Sequence, residues 1–304
     1  MRVRGFKPLL VCVTLILVFL AARSAPASAE EQIVFQFREL KFHSQTVEVR
    51  HAGGNTSRAE FLSEMILLPD GRATGGFGLW EDGAPNGLLL YRVVAGRTTN
   101  RGGPFYEFQA RRLSPAASED EITISLHPVP GHVPEGSVTF FIDGVSSPGG
   151  EVLSFEAGGT VHSHARSHSP TATLSDFVTG SFFINAPPQT VVVETRGSSY
   201  TAVFENVALV FPDGDAIGLA SLSQSEIRFT GGNLHFPDGE FMGALLHGRT
   251  SDTRTSQPLP VLMVIADSHE LSEPCRIYDI LGWQGRIAHF EAETFITRFM
   301  IEDR

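Results

Sequence analysis

The sequence predicts an all-β protein made of two tandem, duplicated antiparallel units, each a sandwich or a small barrel. Three observations lead there: short alternating strands, a recurring turn tripeptide and an internal match between the two halves. No stretch after residue 29 carries a long apolar stripe at helical spacing. Short runs such as Ile33–Phe37, Gln45–Val49, Ser137–Phe141 and Thr190–Val193 alternate apolar with polar or are β-branched, and Gly, Pro, Asn and Asp clusters bound them. That is the strand-and-turn pattern.

The tripeptide Pro-Asp-Gly stands at 69–71, 212–214 and 237–239. Proline sets φ at the second position of a type I turn, Asp suits the third, and Gly accepts the left-handed conformation that follows. Each is read as a tight hairpin with a bulge, which also explains Asp213-Gly214-Asp215 without calcium.

Shifted by 143 positions, Ala59, Phe61, Pro69, Asp70, Gly71, Ala73 and Gly75 fall on Ala202, Phe204, Pro212, Asp213, Gly214, Ala216 and Gly218. At a shift of 144, Gln45-Thr46-Val47 and Val49 fall on Gln189-Thr190-Val191 and Val193. These matches indicate an internal duplication. They also decide the segment Arg58–Leu67, whose Phe61, Leu62, Met65 and Ile66 have helix-compatible spacing: its counterpart Thr201–Leu209 alternates and is rich in β-branched residues, so both are strands. Two units of single-barrel or single-sandwich size follow, residues 30–169 and 170–304, with the boundary near Ser169. Ser146–Gly150 and the stretch from Gly158 to Pro170 are the linker candidates.

The first 29 residues read as a secretory signal peptide. Arg2, Arg4 and Lys7 precede an apolar run from Leu9 to Ala22, and Ala27-Ser28-Ala29 supplies small residues for cleavage before Glu30. The run is short for a membrane span, and Val11 before Cys12 does not suit lipidation. Four of the 23 basic residues lie in this segment, leaving 19 against 34 acidic ones and a net charge of about −15 on the processed chain. Such a surface repels phosphate backbones, so nucleic acid is not an expected partner. Cys275 would be the one remaining thiol and Lys41 the one remaining lysine, which leaves no intramolecular disulfide and little scope for Schiff-base chemistry. The expected location is secreted or periplasmic.

Candidate chemistry is sparse. His162, His164 and His168 form one cluster, with alternation placing the first two on one strand face where Zn²⁺ or Cu²⁺ could bind. Arg166 opposes a cation there, and a solvated polar linker explains the same composition. His289, Glu291 and Glu293 share one face of the last strand, where acid–base work competes with the simpler reading of a water-facing surface. No nucleophile elbow, zincin, P-loop or EF-hand pattern occurs, and Glu273 replaces the second histidine of a zincin motif after His269-Glu270. An outer-membrane barrel is not expected, because girdle aromatics are few (four Tyr, two Trp) and the chain ends on charged residues.

The 23 phenylalanines serve either as core or as the lining of a lipocalin-like cavity. The expected function is therefore a non-enzymatic exported binder of an apolar small molecule or a cell-surface partner. The alternatives are a cavity-type enzyme such as a cyclase or isomerase, and a metal-binding protein. Zn²⁺ or Cu²⁺ at the histidine cluster is the only cofactor suggested.

Overall fold

In the computed structural model the described residues are 33–82, 87–100, 104–114, 121–129, 136–147, 150–168, 180–235, 243–251, 259–267, 274–284 and 286–301. The signal segment 1–29, the Ser169 boundary and the third Pro-Asp-Gly turn lie outside them. All regular structure among them is strand: β1 (Ile33–His51), β2 (Thr56–Leu67), β3 (Arg72–Glu81), β4 (Leu88–Asn100), β5 (Pro104–Ser114), β6 (Glu121–Pro128), β7 (Gly136–Ser146) and β8 (Val152–His168). The second series is β9 (Phe182–Thr195), β10 (Ser198–Val210), β11 (Ala216–Leu222), β12 (Ser225–His235), β13 (Gly243–Ser251), β14 (Leu259–Ala266), β15 (Cys275–Trp283), β16 (Arg286–Glu293) and β17 (Phe295–Arg298).

Strands β1 to β8 form a closed antiparallel barrel in simple sequence order. Strands β9 to β16 form a second one, closed because β9 pairs with β10 on one side and with β16 and its continuation β17 on the other. Of the two architectures the sequence allowed, closure selects barrels. It leaves no open sheet edge. Contacts divide the chain into a unit of Gln36–Ala165 with Thr173–Arg304, which holds nearly all of both barrels, and a small unit of Met1–Phe35 with Arg166–Ala172.

Both Pro-Asp-Gly hairpins are built alike. Leu68 N–H donates to Arg72 O (2.9 Å) and Gly71 N–H to Leu68 O (3.1 Å); Phe211 N–H donates to Asp215 O (2.9 Å) and Gly214 N–H to Phe211 O (3.1 Å). Gly71 and Gly214 take φ of 89° and 93°, the left-handed values that the motif anticipates.

The matched glutamines are equivalent as well. Gln45 Nε2 donates to Gly158 O (2.7 Å) while its Oε1 accepts from Gly158 N–H (3.0 Å), and Gln189 exchanges the same two bonds with Glu293 (2.9 and 2.8 Å). Each sits at a bulge in the first strand of its barrel and ties it to the closing strand.

The cores resolve the role of phenylalanine. Phe61 packs its ring 4.9 Å from Phe155, 5.0 Å from Phe77 and 5.3 Å from Phe42. Its counterpart Phe204 lies 4.8 Å from Tyr278 and 4.7 Å from Phe290. These side chains are fully buried and fill the barrels, so the lipocalin-like, Phe-lined lumen expected as an alternative is occupied by the protein's own rings.

The described parts of both linker candidates are turn or strand. Ser147 and Gly150 belong to the β7–β8 turn, and Gly158–His168 is part of β8, the strand that closes the first barrel. Small residues occur there because the interior demands them: a Cβ on Gly159 would lie 2.7 Å from the Phe42 ring.

Strand β2 is buried on both faces from Phe61 onward. Its inner face meets the first core, and Leu62 on the outer face joins Leu88, Leu90, Leu209, Phe211, Ile217 and Phe299 in an apolar cluster shared by the two barrels. Two-sided burial places apolar residues on both faces, Phe61-Leu62 and Met65-Ile66, and this spacing mimics a helix.

Candidate functional site

One end of the first barrel opens into a cavity of about 750 Å³. Its walls come from the start of β1 (Gln36–Arg38), the β2–β3 turn (Leu67–Gly71), the end of β4 (Gly96–Thr98) and β8 (Ser163–Ala165). The turn that the tripeptide dictates forms one wall and is fixed to β4 by a Gly96 N–H to Gly71 O bond of 3.1 Å. Gly96 faces inward, where a Cβ would stand 2.7 Å from the Phe108 ring, so glycine leaves room for that buried ring beneath the cavity. Phe37, Leu67, Leu68 and Pro69 supply apolar wall.

The charged groups of the lining differ in what holds them. Asp70 accepts from Arg72 Nε (2.7 Å), and Arg97 is paired with Glu107. His164 Nε2 donates to Glu39 Oε2 (2.8 Å), with the imidazole stacked on Phe37 at 4.6 Å. That hydrogen bond fixes the proton on Nε2 and leaves Nδ1 as the acceptor of the neutral ring. Arg38 is different. Its Nη1 donates to Thr98 Oγ1 (3.3 Å) and its guanidinium lies 6.0 Å from the Tyr106 ring centroid, but it reaches no carboxylate among the described residues.

A second cluster lies where the barrels meet. Lys41 Nζ is 2.6 Å from Asp213 Oδ2 and 4.0 Å from Glu64 Oε2, and His43 Nδ1 is 3.4 Å from Asp215 Oδ2. Burial pushes the Glu64 carboxyl up to about 7, against the pull of Lys41. Burial acts upward on Asp213 as well, but the Lys41 hydrogen bond, the Asp215 backbone hydrogen bond and the Lys41 charge together outweigh it and hold that carboxyl below its ordinary value. Burial pulls Lys41 down, and the Asp213 hydrogen bond with the Glu64 charge more than restores it, leaving it raised. His43, Asp213 and Asp215 bring three ligand-type atoms within 4.8 Å of one another. The Lys41 ammonium already occupies the Asp213 oxygen that a cation would need.

Sequence reading singled out other residues. His162 and His164 do share the outer face of β8, ring centroids 6.2 Å apart, and among the described residues the carboxylate of Glu39 is brought against His164. The His168 side chain lies outside the described residues. His289, Glu291 and Glu293 all project outward from β16, and His289 Nδ1 meets Asp279 Oδ1 at 2.8 Å.

Cys275 is a free thiol, pushed up by burial and by the Glu291 charge, which disfavours the nucleophilic thiolate. Sequence reading missed His51, held between Glu81 (3.0 Å) and Glu151 (3.2 Å), the latter carboxyl lowered by that contact. It also missed Arg38 and the pairing of Lys41 with Asp213 and Glu64. Nothing local marks either, since their partners are distant in sequence.

No family model matches the chain, and no curated protein matches it. Three solved structures resemble it at low score. A candidate outer membrane protein from Bacteroides fragilis is 12% identical, with a TM-score of 0.22, over 83% of this chain and 96% of that one. A candidate AttH protein from Nitrosomonas europaea is 10% identical, with a TM-score of 0.24, over 86% and 92%. A protein of unknown function from the DUF3598 family of Nostoc punctiforme is 11% identical, with a TM-score of 0.19, over 85% and 95%.

Proposed function

We propose that the protein is an exported β-barrel binder of an apolar small molecule, and that the cavity at the open end of the first barrel is its site. The observation that supports this is the cavity itself. About 750 Å³ is the size of a small-molecule site, and the lining sets apolar groups such as Leu67, Leu68, Pro69 and Ala165 beside polar ones such as Gln36, Arg38, Thr98 and Ser163. The signal-like residues 1–29 support export.

The test is fluorescence titration with a neutral apolar dye such as Nile red. Saturable binding is expected, weakened about tenfold or more by Ala165→Trp, which fills the cavity from an exposed position of β8. Equal binding by the variant would remove the cavity from consideration. It would favour the surface-partner reading, which the exposed Val192 and Val203 on the paired strands β9 and β10 would serve.

The enzyme reading has one specific support, the Glu39–His164 pair, an imidazole oriented by a carboxylate as acid–base chemistry requires, with His164 in the segment of β8 that borders the cavity. Turnover of a cavity-bound compound by the wild type, lost in His164→Gln with binding retained, would establish it.

A further inference from the structure

The duplication provides an internal comparison for the cavity. In the first barrel Arg38 pairs with Leu67 across β1–β2; in the second, Phe182 pairs with Val210 across β9–β10. These are the same positions under the shifts of 144 and 143 that align the two halves. Gly96 N–H donates to Gly71 O in one barrel, and Gly232 N–H donates to Gly214 O (2.8 Å) in the other, which aligns β4 with β12. Two residues on, Thr98 faces Tyr106 across the ladder in the first barrel, and Leu234 faces Ala244 in the second.

The trio at this end is thus Arg38, Thr98 and Tyr106 in one copy and Phe182, Leu234 and Ala244 in the other. Phe182 is buried with the second core and carries the Arg298 guanidinium over its ring at 5.5 Å. The fold is therefore satisfied by an apolar plug at this place, and the polar trio of the first barrel is not a structural requirement.

Resting on the cavity reading above, we infer that Arg38 and Thr98 form the head-group subsite of the first barrel's cavity, and that its ligand is an apolar body bearing one oxyanion. Arg38 is exposed on a chain whose net charge is −11, yet it makes no ion pair among the described residues. The other basic side chains of the lining residues, Arg97 and His164, each have a carboxylate partner. A guanidinium presents paired N–H donors that match a carboxylate, sulfate or phosphate, and Thr98 O–H adds a donor beside it. A single cation with no carboxylate partner among the described residues, next to the apolar Leu67, Leu68 and Pro69, selects a single-headed amphiphile.

Isothermal titration of the full processed chain with decanoate, decyl sulfate and the uncharged decanamide tests this. Decanoate or decyl sulfate should bind about tenfold or more tighter than decanamide, the better of the two naming the head group. Arg38→Gln should bring all three within about twofold of one another, with decanamide affinity and the thermal transition unchanged. Arg298→Gln, which alters the matching end of the second barrel, should keep the wild-type preference.

A wild type without preference, or a preference that survives Arg38→Gln, overturns the subsite. The cavity reading then stands if decanamide binding is lost in Ala165→Trp. Failure of all three amphiphiles to bind overturns both.

Discussion

Ile217 of β11 places its Cγ2 where it would be 2.4 Å from a Cβ on Gly78 of β3. Beside it, a Cβ on Gly76 would be 2.5 Å from a Leu209 methyl. Two glycines on the outer face of one barrel therefore admit two aliphatic side chains of the other. Gly78→Val should cost about 1–3 kcal/mol by overpacking. Ile217→Ala should cost a comparable amount through a cavity, and the double variant should recover part of the sum. Urea unfolding of the four proteins checks this, and strict additivity would contradict the contact.

Gln45→Ala and Gln189→Ala should destabilise by similar amounts, about 1–2 kcal/mol each, since each removes the same two seam hydrogen bonds between side chain and backbone. The two sites share no partner, so their effects should add. Chemical denaturation measures it, with amide exchange at Gly158 and Glu293 expected to rise only in the variant that loses its own glutamine.

How much of this was legible beforehand follows from the range of the interactions. Alternation, turn chemistry and the matched halves are local, and they placed strands, hairpins and the Gln45–Gln189 equivalence correctly. The same locality misread Gly158–His168 as linker, because Gly, Ser and His resemble loop composition until Phe42, brought in from β1, explains the missing side chain at Gly159. Gly76 and Gly78 carry no readable signal, since their reason is a side chain from the other barrel. Lys41 meets Asp213, and Arg38 meets Tyr106, only after barrel closure and barrel apposition. Site chemistry made of such long-range pairs has no spacing to read.

Cys275 should alkylate slowly. Its thiol is half-buried and raised by burial and Glu291, so less thiolate is present near neutral pH than in a free cysteine. Iodoacetamide labelling followed by mass spectrometry should give a rate several-fold below that of glutathione. Glu291→Gln should raise it, and a rate equal to that of the free thiol would contradict the burial.

Glu64 makes stability depend on pH in a predictable direction. Its carboxyl sits at about 7 in the fold against 4.5 for the unperturbed group. Below 4.5 it is protonated in both states and contributes no pH dependence. Between these values the folded chain keeps a proton that the unfolded chain releases, so stability falls as pH rises, and above about 7 the full penalty applies. At 1.36 kcal/mol per unit this approaches about 3 kcal/mol, an upper figure because Lys41 beside it is partly exposed.

Asp213 acts in the opposite sense and in a different window: its carboxyl is lowered, so its contribution is lost as pH falls below about 3.8. Lys41 is raised, and its contribution is lost only above 10.5. Glu64→Gln should therefore leave the urea midpoint unchanged near pH 4 and raise it near pH 8, flattening the profile between. A variant less stable than the wild type near pH 8 would show instead that the Lys41–Glu64 attraction outweighs the burial of the charge.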